Sequence, residues 1–140
     1  MSVSHTRITL DTSDTGLAVT AHFDRGARLG LSSPSSEAGP SPVQAVLACL
    51  GGCAAMDVIS ILRKQRQRVT AYEVRVNGER RAEHPRYYTH IEIVHRIHGH
   101  QIRPEAVAEA IRLSDTKYCS VHAMLEPKAE IVSRFEILPP

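Results

Sequence analysis

The residues of this chain best equipped for chemistry are its cysteines. Cys53 stands in Gly39-Pro-Ser-Pro-Val-Gln-Ala-Val-Leu-Ala-Cys-Leu-Gly-Gly-Cys-Ala-Ala-Met-Asp-Val58, directly after two glycines. Cys119 stands far downstream, in Lys117-Tyr-Cys-Ser-Val-His122. A thiolate is a nucleophile and a metal ligand. Two separated thiols, one of them on an apolar helix, point to redox chemistry rather than to a structural scaffold. Cys49 and Cys53 are four apart on one predicted helix face, which sets their Cβ atoms about 5–6 Å apart. A disulfide wants about 3.5–4.5 Å, so these two do not bridge while the helix is intact. Cys49 reads as an inert small hydrophobe. Cys119 is the other thiol available to Cys53, and spacing alone does not show that they meet.

The histidines offer a second chemistry. His95, His98 and His100 form a short tract, with His98 and His100 on one face of an extended strand. A zinc site needs three or four ligands, and nothing else nearby has ligand spacing. These histidines are therefore expected to face solvent at a strand end, with no metal and no cofactor. A charged His122 close to Cys119 would favour its thiolate; a plain surface histidine is the equal alternative.

The elements that must position these groups follow from periodicity. Arg7–Asp11, Leu17–Phe23 and Ala27–Ser32 alternate and read as strands, with turns at Asp14–Gly16 and Asp24–Gly26. Ser32–Pro40 is a loop by composition. Ser41 then reads as an N-cap and Pro42 as the first residue of a helix running to about Gln67. This helix is apolar on nearly every side, so it is either a core helix or a membrane span. Gln44, Asp57 and Ser60 argue against the span, because a charge near its middle is expensive. Gly51 and Gly52 each cost a helix interior roughly 1 kcal/mol relative to alanine. Close approach of another backbone, such as the matching helix of a second subunit, would offset that cost. A chance pair in a helix with stability to spare is the alternative.

Beyond it, Thr70–Asn77 and Tyr87–His98 read as strands, and Asn77-Gly78 with the polar run after it makes a turn or a long hairpin loop. Arg103-Pro104 opens a second helix ending near Tyr118, with Val107, Ala110, Ile111 and Ser114 on one face. Lys128–Leu138 is the closing strand. One domain spanning residues 1–140 is expected, since no repeat or linker divides the chain.

Bulk properties narrow the function classes. The formal net charge of +2 is too small to argue for nucleic acid. The basic run Arg63–Arg68 suits a solvated helix end. The segment Met1–Arg7 has no apolar core of signal-peptide length, so a cytoplasmic location with reduced cysteines is expected.

The segment from Gly39 to Val58 resembles the central helix of the OsmC/Ohr family of thiol peroxidases. Lys117–His122 is similar to that family's second cysteine motif, and the order of elements matches over most of the chain beyond residue 17. The resemblance implies an α+β fold of antiparallel sheets packed on a long cysteine-bearing helix and a second helix, in an intertwined homodimer. It also implies reduction of organic hydroperoxides, with Cys53 as peroxidatic and Cys119 as resolving cysteine, recycled by a thiol reductant. Gln44, Cys49 and Met56 would then line the pocket for a hydrophobic peroxide.

Two departures stand out. The peroxidase members carry a glutamate where this chain has Gln44, and an arginine in a loop of the N-terminal strands. Here Arg7, Arg25 and Arg28 remain in that region, none in a matching motif. Gln44 cannot hold an arginine by a charged bidentate pair. Cys53 is accordingly expected to be a weak nucleophile at neutral pH. The competing reading is a non-enzymatic dimer that binds a lipid-like small molecule in an apolar interface pocket.

Overall fold

The structure, a computed structural model, describes residues 1–13, 15–33 and 39–140. Asp14 in the first predicted turn, and residues 34–38 in the predicted loop, lie outside the described residues. The chain forms two compact units, Met1–Val46 and Leu47–Pro140.

The first unit is a three-stranded antiparallel sheet of β1 (Arg7–Leu10), β2 (Val19–His22) and β3 (Arg28–Leu31), in that order. The predicted turn at Asp24–Gly26 is a single 3₁₀ turn. Arg25 and Gly26 take positive φ there, and Phe23 N–H closes on the Ala27 carbonyl at 2.9 Å. Register places Ile8 opposite Ala21 opposite Leu29, and Leu10 opposite Val19 opposite Leu31. Directly opposed residues point to the same side of a sheet. One side is therefore wholly apolar, yet Ile8 is 57% and Leu10 45% exposed.

The helix α1 (Pro42–Lys64) begins at the end of this unit. Its start is a capping box: Gln44 N–H donates to Ser41 Oγ at 3.1 Å, and Ser41 N–H reaches back to Gln44 Oε1 at 3.5 Å.

In the second unit, β5 (Tyr88–His100) lies between β4 (Arg68–Arg80) and β6 (Glu130–Leu138). β4 pairs with β5 antiparallel, but β6 joins β5 in parallel, so this sheet is mixed rather than purely antiparallel. The helical return through α2 (Pro104–Leu113), a π-helical turn (Ser114–Tyr118) and α3 (Ser120–Leu125) supplies the crossover that a parallel pair requires. The predicted second helix, ending near Tyr118, is α2 continued by the π-helical turn, and α3 beyond Cys119 is an additional helix.

The predicted turn or long hairpin loop starts later than Asn77-Gly78, after β4 ends at Arg80. β4 runs through both residues, with Asn77 opposite Glu92 and Gly78 opposite Ile91. Gly78 serves packing instead: a Cβ there would lie 2.7 Å from the Tyr88 ring. The core combines Val58 and Leu62 of α1, Ile97 of β5, and Val107, Ala110 and Ile111 of α2. On the opposite side of the sheet, Arg96 bonds Glu73 and Glu136 on the two flanking strands, each at 3.1 Å.

Gly51 allows α1 to sit close on β4, since a Cβ there would come 2.8 Å from Val76 Cγ2. Among the described residues, a Cβ at Gly52 would meet nothing within 4 Å. By length and composition α1 could cross a membrane, and 28% of its apolar window is buried.

Candidate functional site

Cys53 and Asp57, four residues apart on α1, share a helix face. Cys119 ends the π-helical turn and caps α3. Cys53 Sγ, a carboxylate oxygen of Asp57 and Cys119 Sγ all lie within 4.8 Å of one another. Cys53 and Asp57 are half-buried, whereas Cys119 is only 4% exposed. The neighbours of Cys119 in sequence are largely polar, yet the fold buries the sulfur.

Hydrogen bonds hold this cluster. The Ser114 hydroxyl donates to Asp57 Oδ2 at 3.0 Å. The His122 backbone N–H donates to Cys119 Sγ at 3.4 Å. Burial pushes the Cys119 thiol up to about 11; the His122 N–H opposes the shift, and Cys53 and Asp57 add to it. The charges acting on Cys119 therefore come from acidic groups.

A second polar group lies on the core face of the sheet. His95 is fully buried, contrary to the expected solvent-facing histidine, because its strand is central and its side chain points under the helices. Its Nδ1 bonds the Tyr72 hydroxyl at 2.6 Å, and the two rings stack. Burial lowers the His95 pKa to about 4, so the ring is neutral at neutral pH. Tyr72 is held in its phenol form by burial and, secondarily, by the charge of Asp57. His98 bonds the Pro139 carbonyl at 2.7 Å, and His100 is exposed.

His122 is also buried, with Nδ1 3.4 Å from Asp115 and Nε2 3.6 Å from Glu126. It borders a cleft of about 400 Å³ that reaches Cys119 and is lined by Asp115, Lys117, His122 and Glu126. Burial raises the Asp115 carboxyl, while the Ser133 hydroxyl and His122 act to lower it.

The other residues expected at the site stand apart from this cluster. Cys49 and Met56 are exposed on α1, and Gln44 is exposed in its first turn, engaged in the capping box. Asp57 and Ser114 are the members that sequence reasoning passes over. The signal for Asp57 was its spacing of four from Cys53. The signal for Ser114 was a hydroxyl on an otherwise apolar helix face.

The family model described as OsmC-like protein matches residues 34–134. The chain belongs to the OsmC-like family. Protein YhfA of Escherichia coli (strain K12) is 41% identical over 123 residues, covering 88% of this chain and 92% of that protein. The crystal structure of a hypothetical protein from Aquifex aeolicus VF5 superposes with a TM-score of 0.88 at 28% identity, covering 100% of this chain and 99% of the other. An organic hydroperoxide resistance protein from Elizabethkingia anophelis shares the OsmC-like fold at a TM-score of 0.73 and 11% identity, over 99% of this chain and 98% of its own.

Proposed function

We propose that this protein reduces organic hydroperoxides through Cys53 and Cys119, with modest activity. The observation that carries this reading is the meeting of two sequence-distant thiols inside one partly buried cluster. Membership of the OsmC-like family supports a redox, peroxide-related role, and an organic hydroperoxide resistance protein shares the fold.

The roles follow from exposure. Cys53 is the more accessible sulfur, and its thiolate attacks the peroxide oxygen. The O–O bond breaks, the alkoxide takes a proton and leaves as an alcohol, and Cys53 becomes a sulfenic acid. The Cys119 thiolate then attacks that sulfur, forming the disulfide and releasing the hydroxyl as water. A thiol reductant returns both sulfurs to the reduced state. Asp57 in the cluster gives a thiolate no electrostatic support, so turnover is slow.

The working form is an intertwined homodimer in the cytoplasm. Exposed apolar residues on one side of the β1–β2–β3 sheet, together with Met56 at 73% exposure on α1, need a cover. Gly52, open on α1, leaves room for a second chain.

The test is consumption of cumene hydroperoxide with a dithiol reductant. Wild type should turn over and Cys53→Ser should not. Equal rates in the two would overturn the proposal.

A further inference from the structure

We infer that Cys53, Asp57 and Cys119 form a binding site for a divalent thiophilic metal ion, zinc foremost. This inference stands apart from the peroxidase reading, since metal binding needs no turnover. The three donor atoms converge within 4.8 Å. Around a tetrahedral zinc, donors at about 2.0–2.3 Å from the ion lie roughly 3.3–3.8 Å from each other. Closing that gap requires side-chain rotation of about 1 Å, and the elements carrying the donors are already in place.

The surroundings suit a cation. Two thiols and a carboxylate are groups that ligate a metal once deprotonated, and a cation displaces the thiol protons as it binds. Ser114 donates to Asp57 Oδ2, which orients the carboxylate and leaves its other oxygen for an ion. Partners of this kind orient metal ligands. The His122 N–H fixes Cys119 Sγ in the same way.

Donor type selects the metal. Two sulfurs disfavour magnesium and calcium, and the carboxylate favours zinc over cuprous copper. Three protein ligands leave a fourth position for water or a small anion.

Metal and disulfide compete for the same sulfurs. Oxidation of the bound thiolates by an organic hydroperoxide consumes two protons and yields the disulfide, an alcohol and water. The ion departs without changing its oxidation state.

The test uses the reduced, full-length protein in a Cys49→Ser background, titrated without oxygen with cobalt(II) and zinc(II). One ion per chain and a cobalt–thiolate charge-transfer band are expected. The band should vanish in Cys53→Ser and in Cys119→Ser, and affinity should fall at least about tenfold in Asp57→Asn, the scale seen when a metal site is perturbed. Should Asp57→Asn fail to fold, hydroperoxide treatment of the zinc-loaded protein supplies the second measurement. It should release zinc to a chromophoric chelator in step with thiol loss. Absence of the cobalt band, its survival in Cys119→Ser, unchanged affinity in folded Asp57→Asn, or retention of zinc after disulfide formation would overturn the inference. Metal binding without peroxidase activity would instead sink the proposed function alone.

Discussion

The Ser114 hydroxyl donates to Asp57 Oδ2 across 3.0 Å, and this bond ties the turn leading into Cys119 to the helix that carries Cys53. Ser114 is buried and Asp57 half-buried, so the bond sets the separation of the two thiols. In Ser114→Ala the carboxylate loses a hydrogen bond in a partly buried setting. A loss of about 1–3 kcal/mol in urea unfolding is expected. Disulfide formation after oxidation should slow as well. Unchanged stability together with an unchanged disulfide rate would show that the bond positions nothing.

In the proposed mechanism, Cys119 governs the pH dependence of resolution. Its thiol is pushed up to about 11, chiefly by burial. At neutral pH it is therefore almost wholly protonated, while the attack on a sulfenic acid requires the thiolate. The rate of disulfide formation should rise nearly tenfold per pH unit from about pH 7 to about pH 10. Below that range the Cys53 sulfenic acid should accumulate and be trapped by dimedone. A rate already at its plateau at neutral pH would contradict the assignment of Cys119 as a buried, unassisted resolving thiol.

Part of this arrangement is legible in the sequence and part is not. Ser41, Pro42 and Gln44 mark the start of α1 because capping is a local interaction, satisfied within four residues. Alternation likewise marks the strands of both sheets. Asn77-Gly78 misleads because turn chemistry is also local, whereas the need to accommodate the Tyr88 ring at Gly78 is tertiary. The parallel placement of β6 escapes notice for the same reason: alternation reveals a strand but not the direction of its neighbour. The depth of His95 depends on β5 being the central strand, which its own residues do not declare. Asp57 is visible as a misplaced charge on an apolar helix, but its meaning needs Cys119 and Ser114 to arrive from the other end of the chain.

His95 predicts an acid weakness. Burial lowers its pKa from 6.5 to about 4. A depressed histidine pKa means that the folded state disfavours the imidazolium, so stability rises with pH across this window. The contribution is fully present above pH 6.5, is lost as pH falls from there to about 4, and changes no further below that. Its size is on the order of 3 kcal/mol. Urea midpoints measured across this range should fall with acid in wild type and flatten in His95→Gln. Equal slopes in both would place the acid sensitivity elsewhere.

The exposed apolar side of the β1–β2–β3 sheet predicts self-association. Sedimentation at low micromolar concentration should give a dimer, and Ile8→Asp or Leu10→Asp should weaken it markedly. A well-folded wild-type monomer would leave that apolar side, and the open space at Gly52, without an explanation.

Peptide mapping after limited oxidation by an organic hydroperoxide tests the pairing at the heart of the proposed chemistry most directly. The dominant disulfide should join Cys53 to Cys119 and leave Cys49 reduced. A dominant bridge that includes Cys49, or loss of peroxide with Cys53 and Cys119 both still reduced, would contradict it.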